Sequence, residues 1–403
     1  MIAILGGGCS GLFVAANLRR HFPHLSLAIV EPGPLGGVAY STTEPTHLLN
    51  VRASRMSAWV DAPDDFARWA EVPGDSFSSR WIYGEYLRQL IDPATVINAR
   101  AEQVEGPLVR LSNGRTLEAD AIVLALGHHS GRPTEALPAW QPLPELDPHQ
   151  PVVILGTGLT CIDVFLALKA RGFRGQVHAI SRHGWLPQPH EVQAVAPRAP
   201  EWHTAPSLRA AVRAVRAHCE LGGSWQSGVD GVRPLVQSLW ASFSEREKAR
   251  FVRHLSTAWG VHRHRLAPQI SVSIQNALAE GQLRIHAGRL LEVSGSRVRF
   301  RARGRAEELE GQVVSALGPS GDQHPLISAL IEEGLAQPGP LGLGVRTDAT
   351  ATGAILDRSG IASNRLFTLG PLRRGELWES TAVGELREQA RQLAARLAAQ
   401  SIR

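Results

Sequence analysis

The chain opens on MIAILGGGCSGLFVAANLRRHFPHLSLAIVE, and no other stretch restricts its fold as much. A β-rich run, Ile2 to Leu5, leads into Gly6-Gly7-Gly8-Cys9-Ser10-Gly11. A helical pattern follows, with Leu12, Ala15, Ala16 and Leu18 on its apolar side. A second apolar run, Leu25 to Val30, ends on Glu31. Strand, glycine turn, helix, strand and acid, in that order, predict a βαβ unit that holds a dinucleotide. Gly6 permits the tight turn, Gly8 lets the backbone approach a pyrophosphate, and Gly11 lets the helix pack close to the strand. The helix N-terminus, with Ser10 in its first turn, offers N–H groups and a partial positive charge to the phosphates. Glu31 stands where the ribose-binding acid belongs.

Residues 151–184, PVVILGTGLTCIDVFLALKARGFRGQVHAISRHG, repeat the plan. The strand Val152 to Leu155 runs into Gly156-Thr157-Gly158, and a helix begins over Leu159 and Thr160. Cys161 replaces the third glycine, so helix and strand are expected to pack slightly less closely. At the ribose position there is no acid but Ser181-Arg182, and an arginine there accommodates a 2′-phosphate. That favours NADPH over NADH.

Two cradles on one chain imply two dinucleotides, FAD on the first and a nicotinamide donor on the second. VLALGHHSG (123–131) and VVSALGPSG (313–321) are apolar strands that each end in Ala-Leu-Gly, with Gly127 in the first. They are expected to close the two nucleotide sheets. The expected fold is α/β, with two Rossmann-like dinucleotide-binding domains and a helical insertion. Residues 1–149 begin the FAD domain, and 150–318 form an inserted NAD(P) domain with helices over about 207–258. Residues 319–403 return to the FAD domain and end in a helix, Ala382 to Ala399. Pro-rich stretches at 138–151 and 186–206 mark a linker and a loop.

Composition narrows the function. The 403 residues carry a net charge of +5, and every basic residue except Lys169 and Lys248 is arginine. These arginines are scattered rather than gathered on one face or tail, which disfavours nucleic acid and suits small anionic molecules. The three cysteines, Cys9, Cys161 and Cys219, show no CxxC spacing. That argues against a disulfide scaffold or zinc ribbon and fits a reducing cytoplasm. No apolar run approaches the roughly 20 residues of a membrane span. The N-terminus reads as a buried strand rather than a signal segment.

Several further motifs resemble those of a family of FAD/NAD(P)-binding flavoproteins. They are GGVAYSTTEPTHLLNVRASRMSAW (36–59), SSRWIYGEYL (78–87), GTGLTCIDV (156–164), ISRHGWLP (180–187), WGVHRHRLAP (259–268) and LGPLRRGELWESTAVGELREQA (369–390). That family includes FAD-dependent urate hydroxylases of the purine-degrading type and aspartate N-monooxygenases. The resemblance implies that Asn50, Val51 and Met56 lie along the flavin. It also puts Gly370 and Pro371 near the ring, with the helix after Thr381 aimed at its pyrimidine edge. Trp378 and Glu379, just before that helix, are then either catalytic or merely a packing tryptophan and a helix-start acid.

The stretch WGVHRHRLAP poses a separate question. His262 and His264, on an extended segment, would share a face and could meet a metal, as could His128-His129. The flanking Arg263 and Arg265 disfavour a cation, so no metal is expected. Arg263 and His264 read instead as anion recognition between the two nucleotide domains, or else as an interdomain salt-bridge strip. The resulting expectation is an FAD-dependent, NAD(P)H-consuming monooxygenase that uses O2 on a small anionic substrate. Urate, giving 5-hydroxyisourate, comes first, as the resemblance implies. The alternatives are N-hydroxylation of an acidic amino acid such as aspartate, and a flavin-dependent reductase or electron carrier for a partner protein. The oligomeric state is not legible.

Overall fold

A computed structural model describes residues 1–128, 135–140, 146–193, 196–200, 202, 206–318, 324–348 and 352–401. His129 and the 319–321 end of the second Ala-Leu-Gly stretch lie outside the described residues.

The first apolar run forms the strand Ile2–Leu5, buried at all four positions, as a central parallel strand must be. It pairs in parallel with Leu27–Val30 on one side and Ala121–Leu124 on the other. The sheet continues to Val96–Ile97 beyond the former and to Ala362–Thr368 and Ala354–Leu356 beyond the latter. Both ends of the chain therefore build this sheet. The closing helix Val383–Ser401 packs on the helix Cys9–His21.

A second sheet is parallel throughout. Its order is Leu283–Ala287, Val177–Ser181, Val152–Leu155, Gln312–Ser315 and Leu137–Pro138. Residues 137–138 thus pair with the second sheet, although the sequence boundary at 149 grouped them with the first unit. A three-stranded antiparallel sheet flanks each: 101–118 beside the first and 289–310 beside the second.

The helical insertion runs further than 207–258. Its helices are Leu208–Glu220, Trp225–Val232, Val236–Ser242, Glu245–His254 and Ser256–Arg263, and Pro268–Ala279 then leads back to the sheet. Ser207, Ser224 and Ser244 cap three of them, and Ser244 with Glu247 makes a full capping box. The extended reading of WGVHRHR is corrected here. Trp259 to Arg263 form the end of a helix, so His262 and His264 do not share the face of an extended segment.

No helix among the described residues is long and apolar enough to cross a membrane.

Candidate functional site

The two cradles are built alike. Gly6 has φ +114° and Gly156 has φ +111°, a region that β-carbon-bearing residues rarely occupy. A β-carbon on Gly6 would collide with the Ala125 carbonyl, and one on Gly156 would lie 2.6 Å from the Ala316 carbonyl. Each Ala-Leu-Gly strand end therefore presses against the first glycine of its own cradle. That contact gives the two repeated motifs a shared physical reason.

Beyond this turn the cradles open. A β-carbon on Gly8 would meet only the Gly37 Cα at 3.9 Å, and one on Gly158 would meet nothing within 4 Å. Gly8 and Gly158 are the N-caps of the helices Cys9–His21 and Leu159–Ala170, and no side chain caps either helix. Two helix N-termini are thus left open to an anion. These residues fit a dinucleotide at each site. Glu31 braces the first cradle, accepting the Gly7 N–H at 2.7 Å and the Gly33 N–H at 2.9 Å. In the second, the Thr157 hydroxyl bonds the Ser181 hydroxyl at 2.7 Å and the Trp185 carbonyl at 2.6 Å. Arg182 is exposed just beyond.

Gly370 closes over the first cradle, since a β-carbon there would lie 2.7 Å from the Ser10 hydroxyl. Its N–H is taken by Gln389 of the closing helix at 3.2 Å. Pro371 follows in a short 3-10 turn, Gly370–Arg373. Met56 is buried in the same core as Leu12 and Phe13, with Val51 packed against it. The Asn50 carbonyl bonds the His190 ring at 3.0 Å.

A small pocket of about 20 Å³ lies where the two cradle units meet, lined by Leu48, Asn50 and Arg80 from one side and Leu159, Asp163 and Arg265 from the other. Arg80 Nη2 stands 3.1 Å from Asp163 Oδ2, and both side chains are about nine-tenths buried, at 10% and 8% exposure. Arg80 also donates to the Leu48 carbonyl at 3.2 Å. His47, buried beside them, bonds the Asp163 carbonyl at 3.1 Å and the Thr42 hydroxyl at 2.9 Å. Burial pushes the Asp163 carboxyl up, against the pull of Arg80 and His47, and pushes the His47 imidazole down. Sequence reading placed Arg80 and Asp163 in two separate motifs but had no signal that they pair across 83 positions.

The WGVHRHR strip faces the C-terminal segment. Arg263 Nε lies 3.2 Å from Glu379 Oε2, with side-chain exposures of 8% and 5%. Trp259 Nε1 donates to the other Glu379 oxygen at 2.7 Å. Arg265 makes a two-pronged pair with Asp230, at 2.8 and 3.1 Å, and sits 4.9 Å above the Trp225 ring. Of the two sequence alternatives, this geometry matches the salt-bridge strip, because both arginines have carboxylate partners. His264, adjacent in sequence, remains exposed. Trp378 lies against Trp240 and Phe251, with both ring centroids 5.0 Å away.

The thiols sit apart from any redox pair. All three cysteines are free. Burial pushes Cys9 and Cys161 each up to about 12, so neither is a thiolate near neutral pH. Among the described residues no cluster of three or more His, Cys, Asp or Glu could hold a metal ion.

Comparison with known proteins agrees with this architecture. Residues 3–129 match a family model described as FAD-NAD(P)-binding. No curated protein matches the chain in sequence. Among solved structures, the reduced form of ornithine hydroxylase from Pseudomonas aeruginosa is similar at 12% identity and a TM-score of 0.66, with 99% of each chain covered. An ornithine N-hydroxylase from Kutzneria sp. 744, whose structure holds reduced FAD, NADP+ and L-ornithine, is similar at 15% identity and 0.63, again with 99% of each covered. A bacillithiol disulfide reductase from Bacillus cereus is similar at 15% identity and 0.56, covering 99% of this chain and 98% of its own. The chain thus has the fold of two-dinucleotide flavoproteins, and its first cradle lies within the stretch that matches an FAD-NAD(P)-binding model.

Proposed function

We propose that this protein is an FAD-dependent, NAD(P)H-consuming oxidoreductase whose reaction is monooxygenation of a small molecule. The observation that carries the reading is the pair of open, uncapped glycine cradles, one at the start of each parallel sheet unit. We divide the chain as an FAD unit of residues 1–149 and 319–403 with an NAD(P) unit of 150–318 inserted, the short strand Leu137–Pro138 reaching across to the second sheet.

Bound FAD would accept two electrons from the nicotinamide and pass them to O2. The chain's own residues bind and orient. Gly6, Gly8, Ser10, Gly11 and Glu31 would hold the FAD pyrophosphate and ribose, with Gly127 at the mouth of that cradle. Asn50, Val51, Met56, Gly370 and Pro371 would border the ring. The start of the closing helix would favour negative charge on the reduced ring. Gly156, Gly158, Leu159, Thr160, Ser181 and Arg182 would hold the nicotinamide cofactor, and Arg182 would pair with a 2′-phosphate. The Arg80–Asp163 pair would fix the two units at one separation. Arg263, held by Glu379, would position the strip beside His264 rather than grip an anion with an open fork.

Cys161 is buried and Cys9 half-buried, and burial pushes both thiols up, which speaks against a dithiol route despite the fold shared with disulfide reductases. Urate is the first acceptor to test: urate, O2, NAD(P)H and a proton would give 5-hydroxyisourate, NAD(P)+ and water. The second is N-hydroxylation of an amino acid such as aspartate, favoured by the fold shared with ornithine hydroxylases. The test follows NAD(P)H and oxygen together in flavin-loaded protein, with each acceptor added in turn. Matched, acceptor-stimulated consumption supports the reading. A rate that no small molecule stimulates, with fast reduction of artificial acceptors, points to an electron carrier.

A further inference from the structure

The redox reading leaves one large cavity unused. The helices between Leu208 and Arg263, closed on one side by Trp378, surround about 490 Å³ of empty space. Its wall carries Trp225, Trp240, Trp259 and Trp378, with Phe243 and Phe251 among them. The formally charged lining residues are Arg216 and Glu220, one turn apart on Leu208–Glu220 and both exposed, which marks the mouth. His262 also lines the cavity, but it spends Nδ1 on the Ala258 carbonyl at 2.7 Å.

Size and lining together identify the occupant. Close-packed protein interiors leave few voids larger than a water molecule. Small-molecule sites run from roughly 300 to 1,000 Å³, mostly apolar with a few polar groups. The floor is buried, with Trp240 at 2% exposure and Val232 at 6%, while Val212, Val215 and Trp259 are half-buried toward the opening. The size and the apolar, aromatic wall suit a compact apolar ligand.

We propose that the cavity binds an uncharged apolar molecule with one polar end, of the class and size of a medium-chain alcohol or aldehyde. The chain enters among the tryptophans, and the polar end stays at the Arg216 and Glu220 mouth. The inference needs no assumption about the redox chemistry, since binding is readable without any nicotinamide.

The experiment uses the full chain and the probes 1-hexanol, 1-octanol and 1-decanol, followed by tryptophan fluorescence and calorimetry. Each buried methylene is expected to tighten binding about fourfold, so two carbons give about sixteenfold. Val215→Trp, on the half-buried wall, is expected to weaken decanol at least tenfold while flavin content and circular dichroism stay unchanged. If that variant does not fold, Val212→Phe on the same helix serves instead. Affinity that does not rise with chain length, or equal binding by a folded wall variant, overturns the proposal. So does a dimer whose tryptophan fluorescence no alkanol alters, because a second copy then fills the space.

Discussion

Asp163→Asn removes one charge from the buried seam between the two cradle units and changes little else in shape. The Arg80 guanidinium then keeps its full charge at 10% exposure, with the Leu48 carbonyl as its remaining described hydrogen-bond acceptor. Breaking a buried pair from one side costs about 3–5 kcal/mol, because the stranded charge loses both water and partner. At about 1.2 °C per kcal/mol for a chain of this length, Tm is expected to fall roughly 4–6 °C. The assay is thermal unfolding followed by circular dichroism, at one salt concentration and without cofactors. The double variant Arg80→Met, Asp163→Leu carries no stranded charge and is expected to recover most of the loss, since apolar replacement of buried pairs is often neutral. A Tm within about 1 °C of wild type for Asp163→Asn would show that water reaches the pair. A double variant no better than the single would show that the damage is steric and that the electrostatic argument is wrong.

Other outcomes follow from the same geometry. Gly8→Val adds atoms on the open side of the cradle, so the apoprotein is expected to keep its Tm within about 2 °C while flavin co-purification drops; spectra of the purified variant decide this. Gly156→Ala forces a β-carbon against the Ala316 carbonyl at a positive φ, and is expected to lower stability by about 1–3 kcal/mol as well as NADPH binding. Arg182→Ala should weaken NADPH by roughly 10- to 100-fold, the range of a lost charge-assisted contact, and leave NADH nearly unchanged; equal losses would remove the 2′-phosphate assignment. Burial holds His47 below its ordinary 6.5, so the unfolded chain takes up the proton first as pH falls. Its contribution to stability is therefore complete above that value and is lost as pH drops through it toward the folded pKa. His47→Gln should flatten the Tm-versus-pH curve in that window.

The cradles were legible in the sequence because their signals are local. Glycine spacing, apolar strands and the Ala-Leu-Gly ends each follow from a few adjacent residues, and Gly6 and Gly156 meet those strand ends as one repeated device. The strip at 259–265 was not legible. Its partners Asp230 and Glu379 lie in other elements, and alternating His and Arg concealed a helix end that depends on tertiary packing. Nothing in a sequence records the space left between Trp240, Trp259 and Trp378. The boundary at 149 missed Leu137–Pro138 for a similar reason, because two residues carry no period by which to assign them to a sheet.

The most direct test of the central claim is anaerobic addition of NADPH to the flavin-loaded protein, followed by readmission of oxygen. If the two cradles hold FAD and NADPH, the yellow flavin absorbance disappears with one equivalent of NADPH and returns with oxygen. Protein that binds no FAD, or whose FAD stays oxidised under excess NADPH, contradicts the account.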